Sequence, residues 1–189
     1  MVVGLDLFIH HFWQFINDGE YTISQVGDKK QFYRFIKPQA EGFPKMIELF
    51  CRKPDLIKEV EGMHLTDIPT GEEVSSLSAI LLDDEYYQFA LTNTQLINGL
   101  HIANEYALIC LKVRAFLNNS KRKAEGQEVK SEEIAKHKND VIRLIATLLP
   151  NNVVLIPDTI KQELKEYISI IRLENPDVKL LLKAQGAAN

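Results

Sequence analysis

The chain has 189 residues, a formal net charge of -4, 46% hydrophobic and 25% charged residues, the proportions of a folded globular protein rather than a disordered one. That length supplies a core for one domain, or one domain with a helical appendage, and the mildly acidic balance excludes a chain that grips nucleic acid over its whole surface. No apolar run approaches the ~20 residues that span a bilayer, and the first residues lack a signal-peptide pattern, so the expectation is a cytoplasmic protein with no membrane partner.

In chain order, "VVGLDLFI" from Val2 to Ile9 reads as a strand and "FWQFIN" as the start of a helix. Strands are predicted at "QFYRFIK" and at "KMIELFC", the latter framed by Gly42, Pro44 and Pro54. Met63 to Ile68 and Ser76 to Leu82 read as further strands, whereas Tyr86 to Leu91 fits either strand or helix. From Asn104, a predicted N-cap, apolar positions spaced by three and four predict a helix over "NEYALICLKVRAFLNN". The polar, Gly-containing "SKRKAEGQEVKSEE" from Ser120 reads as an exposed loop, and Ser131 opens a helix that ends before Pro150. A helix capped by Asp158 and a short last helix after Pro176 complete the chain. The class is α+β: a mixed β-sheet packed by helices over residues 1–100, then a helical region over 101–189. Cys51 and Cys110 lie in separate apolar segments and read as buried free thiols.

Four features bear on chemistry. Asp6 in "LDLF" and Glu48 in "IELF" are carboxylates framed by large apolar residues. Such a group is costly unless it is paired or binds a cation. On adjacent strands the two would offer the oxygen ligands that Mg²⁺ prefers; on solvent faces they would be ordinary surface acids. Lys112 follows an apolar helical run and is either solvated or aimed as a point charge at a triphosphate. In "KHKNDVIRL", Lys136, Asp140 and Arg143 share one helix face, the pattern that usually laces a solvated surface. His10 and His11, with His64, His101 and His137, lack the spacing of a zinc site. The phosphate loop, G-x-G-x-x-G, C-x-x-C and G-x-S-x-G are all absent from the sequence. A nuclease of the E-x-K type would need Lys at position 50, where Phe50 stands.

Taken in order, these residues resemble the nucleotidyltransferase fold, specifically the AbiEii/AbiGii toxin-type family: an h-D-h strand, an aromatic helix, a hairpin, an h-E-h strand, a helix bearing Lys and a helix bearing "K-H-x-x-D-h-x-x-L". The resemblance covers Val3 to Leu149. It implies a Gly-Ser or Gly-Gly strand followed by D-x-D, with Asp6 as the second Asp, Glu48 as the third acid, Lys112 as the helical Lys and Asp140 as the late Asp. It further implies Mg²⁺ and an NTP as cofactor and substrate, and transfer of a nucleoside monophosphate to an RNA or protein acceptor. An antitoxin is an implied partner.

Gly4 stands where the family's pattern has its first Asp. The expectation is therefore an N-terminally incomplete or degenerate member with impaired transfer; the alternative is a non-catalytic nucleotide-, RNA- or protein-binding relative. The Val2 to Ile9 strand, deprived of its neighbour, would have an open edge through which the chain forms a homo-oligomer.

Overall fold

The computed structural model describes residues 5–26, 29–52, 65–68, 77–149 and 151–183. They form an α+β protein, as its composition of elements predicts, and the chain divides into two compact units between Asp84 and Glu85.

The first unit opens with helix α1, Leu5–Asp18. Ile9 and Ile16, seven residues apart, are both buried against Phe35, with Phe12 and Trp13 packed beside them. This spacing belongs to one helix face. It corrects the predicted strand over Val2 to Ile9: Leu5 to Ile9 are helical, and the short apolar run is the first turn of an amphipathic stripe. The exposed strand edge expected to drive self-association therefore does not exist over those residues; Val2 to Gly4 lie outside the described residues.

Strands β1 (Thr22–Val26), β2 (Lys29–Ile36) and β3 (Met46–Glu48) form an antiparallel sheet in that order. The segment predicted as one strand from Lys45 to Cys51 divides at Leu49. Leu49 N–H donates to the Tyr33 carbonyl at 2.9 Å, and the chain then enters a second sheet as β4 (Phe50–Arg52). There β4 pairs parallel to β6 (Leu77–Leu82), which pairs antiparallel to β5 (Leu65–Ile68). The core of the unit is Ile9, Ile16 and Phe35, joined by Tyr21, Ile23, Ile47 and Leu49.

The second unit begins with helix α2, Asp84–Thr92, which resolves the ambiguity over Tyr86 to Leu91 in favour of helix. A hairpin follows, β7 (Thr94–Ile97) and β8 (Leu100–Ala103). Asn98 and Gly99 turn it with φ of 52° and 80°, the two positive values that an Asn-Gly pair supplies at low cost. Helix α3, Glu105–Ala124, is capped as predicted: the Asn104 side chain accepts from Ala107 N–H at 3.0 Å.

Helix α3 does not end at Asn119. It continues through "SKRKA", good helix formers whose Lys121, Arg122 and Lys123 complement the carboxyl end of the helix dipole. Gly126 stops it at φ 82°, with Gly126 N–H on the Lys123 carbonyl and Gln127 N–H on that of Arg122, the paired bonds of a Schellman motif.

Helix α4, Ser131–Ile145, starts where predicted. Helix α5, Asp158–Glu174, takes Pro157 as its N-cap, so Asp158 is the first helical residue rather than the cap. Asn175 ends α5 in the left-handed region, and α6 spans Val178–Lys183. One apolar cluster joins Ile109, Val113 and Phe116 of α3 to Val141 of α4 and Tyr167 of α5. A second joins Tyr86 and Phe89 of α2 to Cys110 and Ile160.

Phe116 is buried and stacks edge-on against Tyr167 at 5.4 Å between ring centroids. Phe116→Ala is expected to destabilise the helical unit by about 3–5 kcal/mol, read by urea unfolding; a loss below about 1 kcal/mol would show that the three helices do not close on this ring.

Candidate functional site

Two of the residues singled out from the sequence meet in the helical unit. Lys112 projects from α3 and Asp140 from α4, and Lys112 Nζ donates to Asp140 Oδ2 at 2.7 Å. Their side chains are 28% and 21% exposed, so the pair sits at the rim of the apolar cluster. The two helices are joined through Val113 and Val141, each the immediate neighbour of a charged partner. Packing of the apolar stripe thus fixes where the charges fall.

The other oxygen of Asp140 faces Arg143, whose Nη1 lies 3.4 Å from Oδ1. Burial pushes the Asp140 carboxyl up, but the hydrogen bond and charge of Lys112, with the charges of Lys136 and Arg143, outweigh it and hold the group below the ordinary carboxylate value. Three cations therefore surround one acid. Lys136, Asp140 and Arg143 recur at intervals of four and three along α4 and share one face, with His137 to its side. This departs from a merely solvated lacing: Asp140 reaches across to a second helix.

His137 and Arg143, read from the sequence as a structural His and as part of a solvated face, border the pair. Both carry a buried nitrogen, Nδ1 and Nε respectively, with no hydrogen-bond partner. Burial and the charges of Lys112 and Lys136 push the imidazole down, against the opposing pull of Asp140 and Glu133. The "K-H-K-N-D-V-I-R" spacing carries the signal for this stripe; what it lacks is the identity of the facing helix.

In the strand-rich unit, Glu48 ends β3 and Arg34 Nε donates to its Oε1 at 2.6 Å, across the β2/β3 ladder. The carboxylate is paired, the outcome that a half-buried acid requires. Asp6 lies in the first turn of α1 rather than on a strand beside Glu48. The predicted placement of the two acids on adjacent strands is corrected accordingly. Asp6 and Glu48 are therefore not on neighbouring strands, and Glu48 is engaged by Arg34. No group of three or more His, Cys, Asp or Glu is arranged to hold a metal ion among the described residues.

A second polar cluster ties α2 to α5. Tyr86 Oη donates to Glu163 Oε2, and the Arg114 guanidinium lies 4.1 Å from the centroid of the Tyr86 ring. Beneath it, Cys110 is free and buried, its thiol pushed up to about 12 by burial and by Glu163. Burial thus favours the protonated thiol. Cys51 has a side chain outside the described residues.

No protein-family model, curated protein or solved structure matches the chain. Among the described residues no helix is long and apolar enough to cross a membrane.

Because Asp140 has a lowered value in the folded chain, its contribution to stability is present above the unfolded carboxylate value, about 3.9, and is lost as pH falls through the folded value. Asp140→Asn should remove that part of the acid-unfolding limb, followed by far-UV circular dichroism, and lower stability at neutral pH by about 1–3 kcal/mol. An unchanged acid limb would mean that the pair does not form in solution.

Proposed function

We propose that the chain is a nucleotide-binding protein of the nucleotidyltransferase type, which takes the triphosphate of an NTP on the α3/α4 face and is impaired in transferring a nucleoside monophosphate to an RNA or protein acceptor. The observation that carries this reading is the Lys112–Asp140 pair. Two residues 28 positions apart, each named from a separate helical pattern, lie in direct contact at 2.7 Å.

The charge arrangement supports a phosphate as the ligand. Lys112, Lys136 and Arg143 lie around Asp140, with Glu133 a second acid beside His137, so an anion entering beside Lys112 meets three cations against two acids. Lys112 has a flexible stem and can turn toward a triphosphate. Asp140 then keeps Arg143 at 3.4 Å and Lys136 nearby, so no acid is left without a cation. Lys112 binds and orients the phosphate chain, and Asp140 holds the ammonium in position before the ligand arrives.

Impaired transfer is supported by the other half of the resembled pattern. Position 4 is Gly where an acid would stand, and Glu48 is held by Arg34. Positioning and charge neutralisation are nearly all that a protein supplies to phosphoryl-type transfer, so missing acids are expected to be severe. Any Mg²⁺ would arrive with the NTP it neutralises in solution.

Isothermal titration with each of the common NTPs in the presence of Mg²⁺ tests the reading. Binding is expected, and Lys112→Met should weaken it about ten- to a hundredfold, the loss of one charge-assisted hydrogen bond. Incubation with labelled NTP and total RNA should give little labelled product. Absence of NTP binding, or equal binding by Lys112→Met, would overturn the reading; strong labelling by the unaltered chain would overturn the impairment.

A further inference from the structure

Two polar contacts of α5 converge on one residue of α4. Tyr167 Oη donates to the Lys138 carbonyl at 2.9 Å, and Lys138 Nζ donates to Glu174 Oε2 at 2.5 Å. Tyr167 and Glu174 stand seven apart on α5 and so share a face. Between them they hold both the main chain and the side chain of Lys138. Inside α4 that carbonyl already serves the helix ladder, so the phenol takes its second lone pair. The pairing of Lys112 with Asp140 does not account for this clamp, yet Lys138 lies only two residues before Asp140.

Tyr167 also reaches the helix that carries Lys112. Its ring meets Phe116 edge-on, with 5.4 Å between centroids and 88° between planes, and Phe116 follows Lys112 by one turn of α3. Ring and hydroxyl are one rigid body, so the side chain is a strut of fixed length between the surface of α3 and the backbone of α4. The residue is buried, and burial with the charge of Glu174 pushes the phenol up, so its hydroxyl stays a donor.

We propose that Tyr167, aided by Glu174, is a positioning residue of the α3/α4 face: it fixes the rotation of α4 so that Asp140 presents its carboxylate to Lys112, and through that pair it sets the affinity of the face for a triphosphate. This rests on the nucleotide reading of the face and adds what aims it. The apolar cluster draws the helices together, but hydrophobic attraction is non-directional and tolerates small rotations, whereas a hydrogen bond weakens steeply off its line. With side chains reaching about 5–6 Å from a helix axis, turning α4 by about 10° carries the Asp140 carboxylate about 1 Å. That takes the 2.7 Å bond from Lys112 out of hydrogen-bond range.

ATP with Mg²⁺ is the probe, its affinity for the full chain measured by titration calorimetry, and the Asp140 carboxyl is titrated in parallel by NMR. Tyr167→Phe keeps the ring on Phe116 and removes only the donor. It should weaken ATP binding about two- to tenfold, the worth of one hydrogen bond. It should also move the Asp140 midpoint up, toward the ordinary carboxylate value of about 3.9, because Lys112 holds the charged form less closely. Glu174→Gln should act in the same sense and less, its carboxylate being 40% exposed. Ile160→Val is the control for stability alone: it thins the separate cluster that α5 makes with α2 and should destabilise the helical unit while leaving ATP affinity and the Asp140 midpoint unchanged.

ATP bound by Tyr167→Phe as tightly as by the unaltered chain, an Asp140 midpoint that stays where it was, or an equal weakening by Ile160→Val overturns the positioning role. If ATP binding depends on Lys112 but ignores Tyr167, the clamp fails and the nucleotide reading stands. If no NTP binds while Tyr167→Phe still moves the Asp140 midpoint, the clamp on the pair stands and the nucleotide reading falls. Should Tyr167→Phe not fold, Glu174→Gln decides on the same two readouts.

Discussion

The helical unit depends on one constraint: the apolar stripe of α3 cannot close on α4 without bringing Lys112 against Asp140. Val113 and Val141 are fully buried in the shared cluster, and their charged neighbours in sequence are carried to its rim. Hydrophobic burial supplies the energy of the contact, since a buried Val is worth about 1.5–3 kcal/mol. The helices fix the two backbones, so only the side-chain freedom of Lys112 and Asp140 is spent on the ion pair. Electrostatics decides something different, namely what the rim can bind.

The acids of the two units have different settings. Glu48 on β3 is answered locally, by Arg34 on the neighbouring strand of the same sheet. Asp140 is answered by groups from two helices, and the three cations near it, Lys112, Lys136 and Arg143, stand against two acids, Asp140 and Glu133. A one-to-one pair closes its own charge and has no need of a ligand. A cluster with surplus cations is stabilised by an anion. That difference, rather than the number of charged residues, separates a structural pair from a candidate site in this chain.

Much of the helical half was legible in the sequence. Asn104 is a cap because its side chain accepts from Ala107 N–H, and the spacing of apolar residues after it holds over α3. The Asn98-Gly99 turn between "TQLI" and "LHIA" is a hairpin signal that the reading of the sequence passed over. Gly126 marks the true end of α3, which the polarity of "SKRKA" obscures: a solvated helical turn and a loop share the same composition.

The amino-terminal run was not legible, because an apolar stretch of eight residues satisfies strand and helix alike; only the burial of Ile9 together with Ile16 decides it. Lys112 and Asp140 were each visible as charged residues on helices, but their contact was not. Sequence periodicity gives the face a residue lies on, not the face it meets.

The contact itself is the point on which everything here turns, and a double-mutant cycle of Lys112→Met and Asp140→Asn measures it, with unfolding free energy read in the absence and in the presence of saturating ATP. A coupling of about 1–3 kcal/mol is expected in the free chain, falling when ATP draws the lysine to its phosphates. Additive single substitutions in the free chain would show that the pair does not exist in solution, and a coupling untouched by ATP would show that Lys112 never leaves Asp140 for a phosphate.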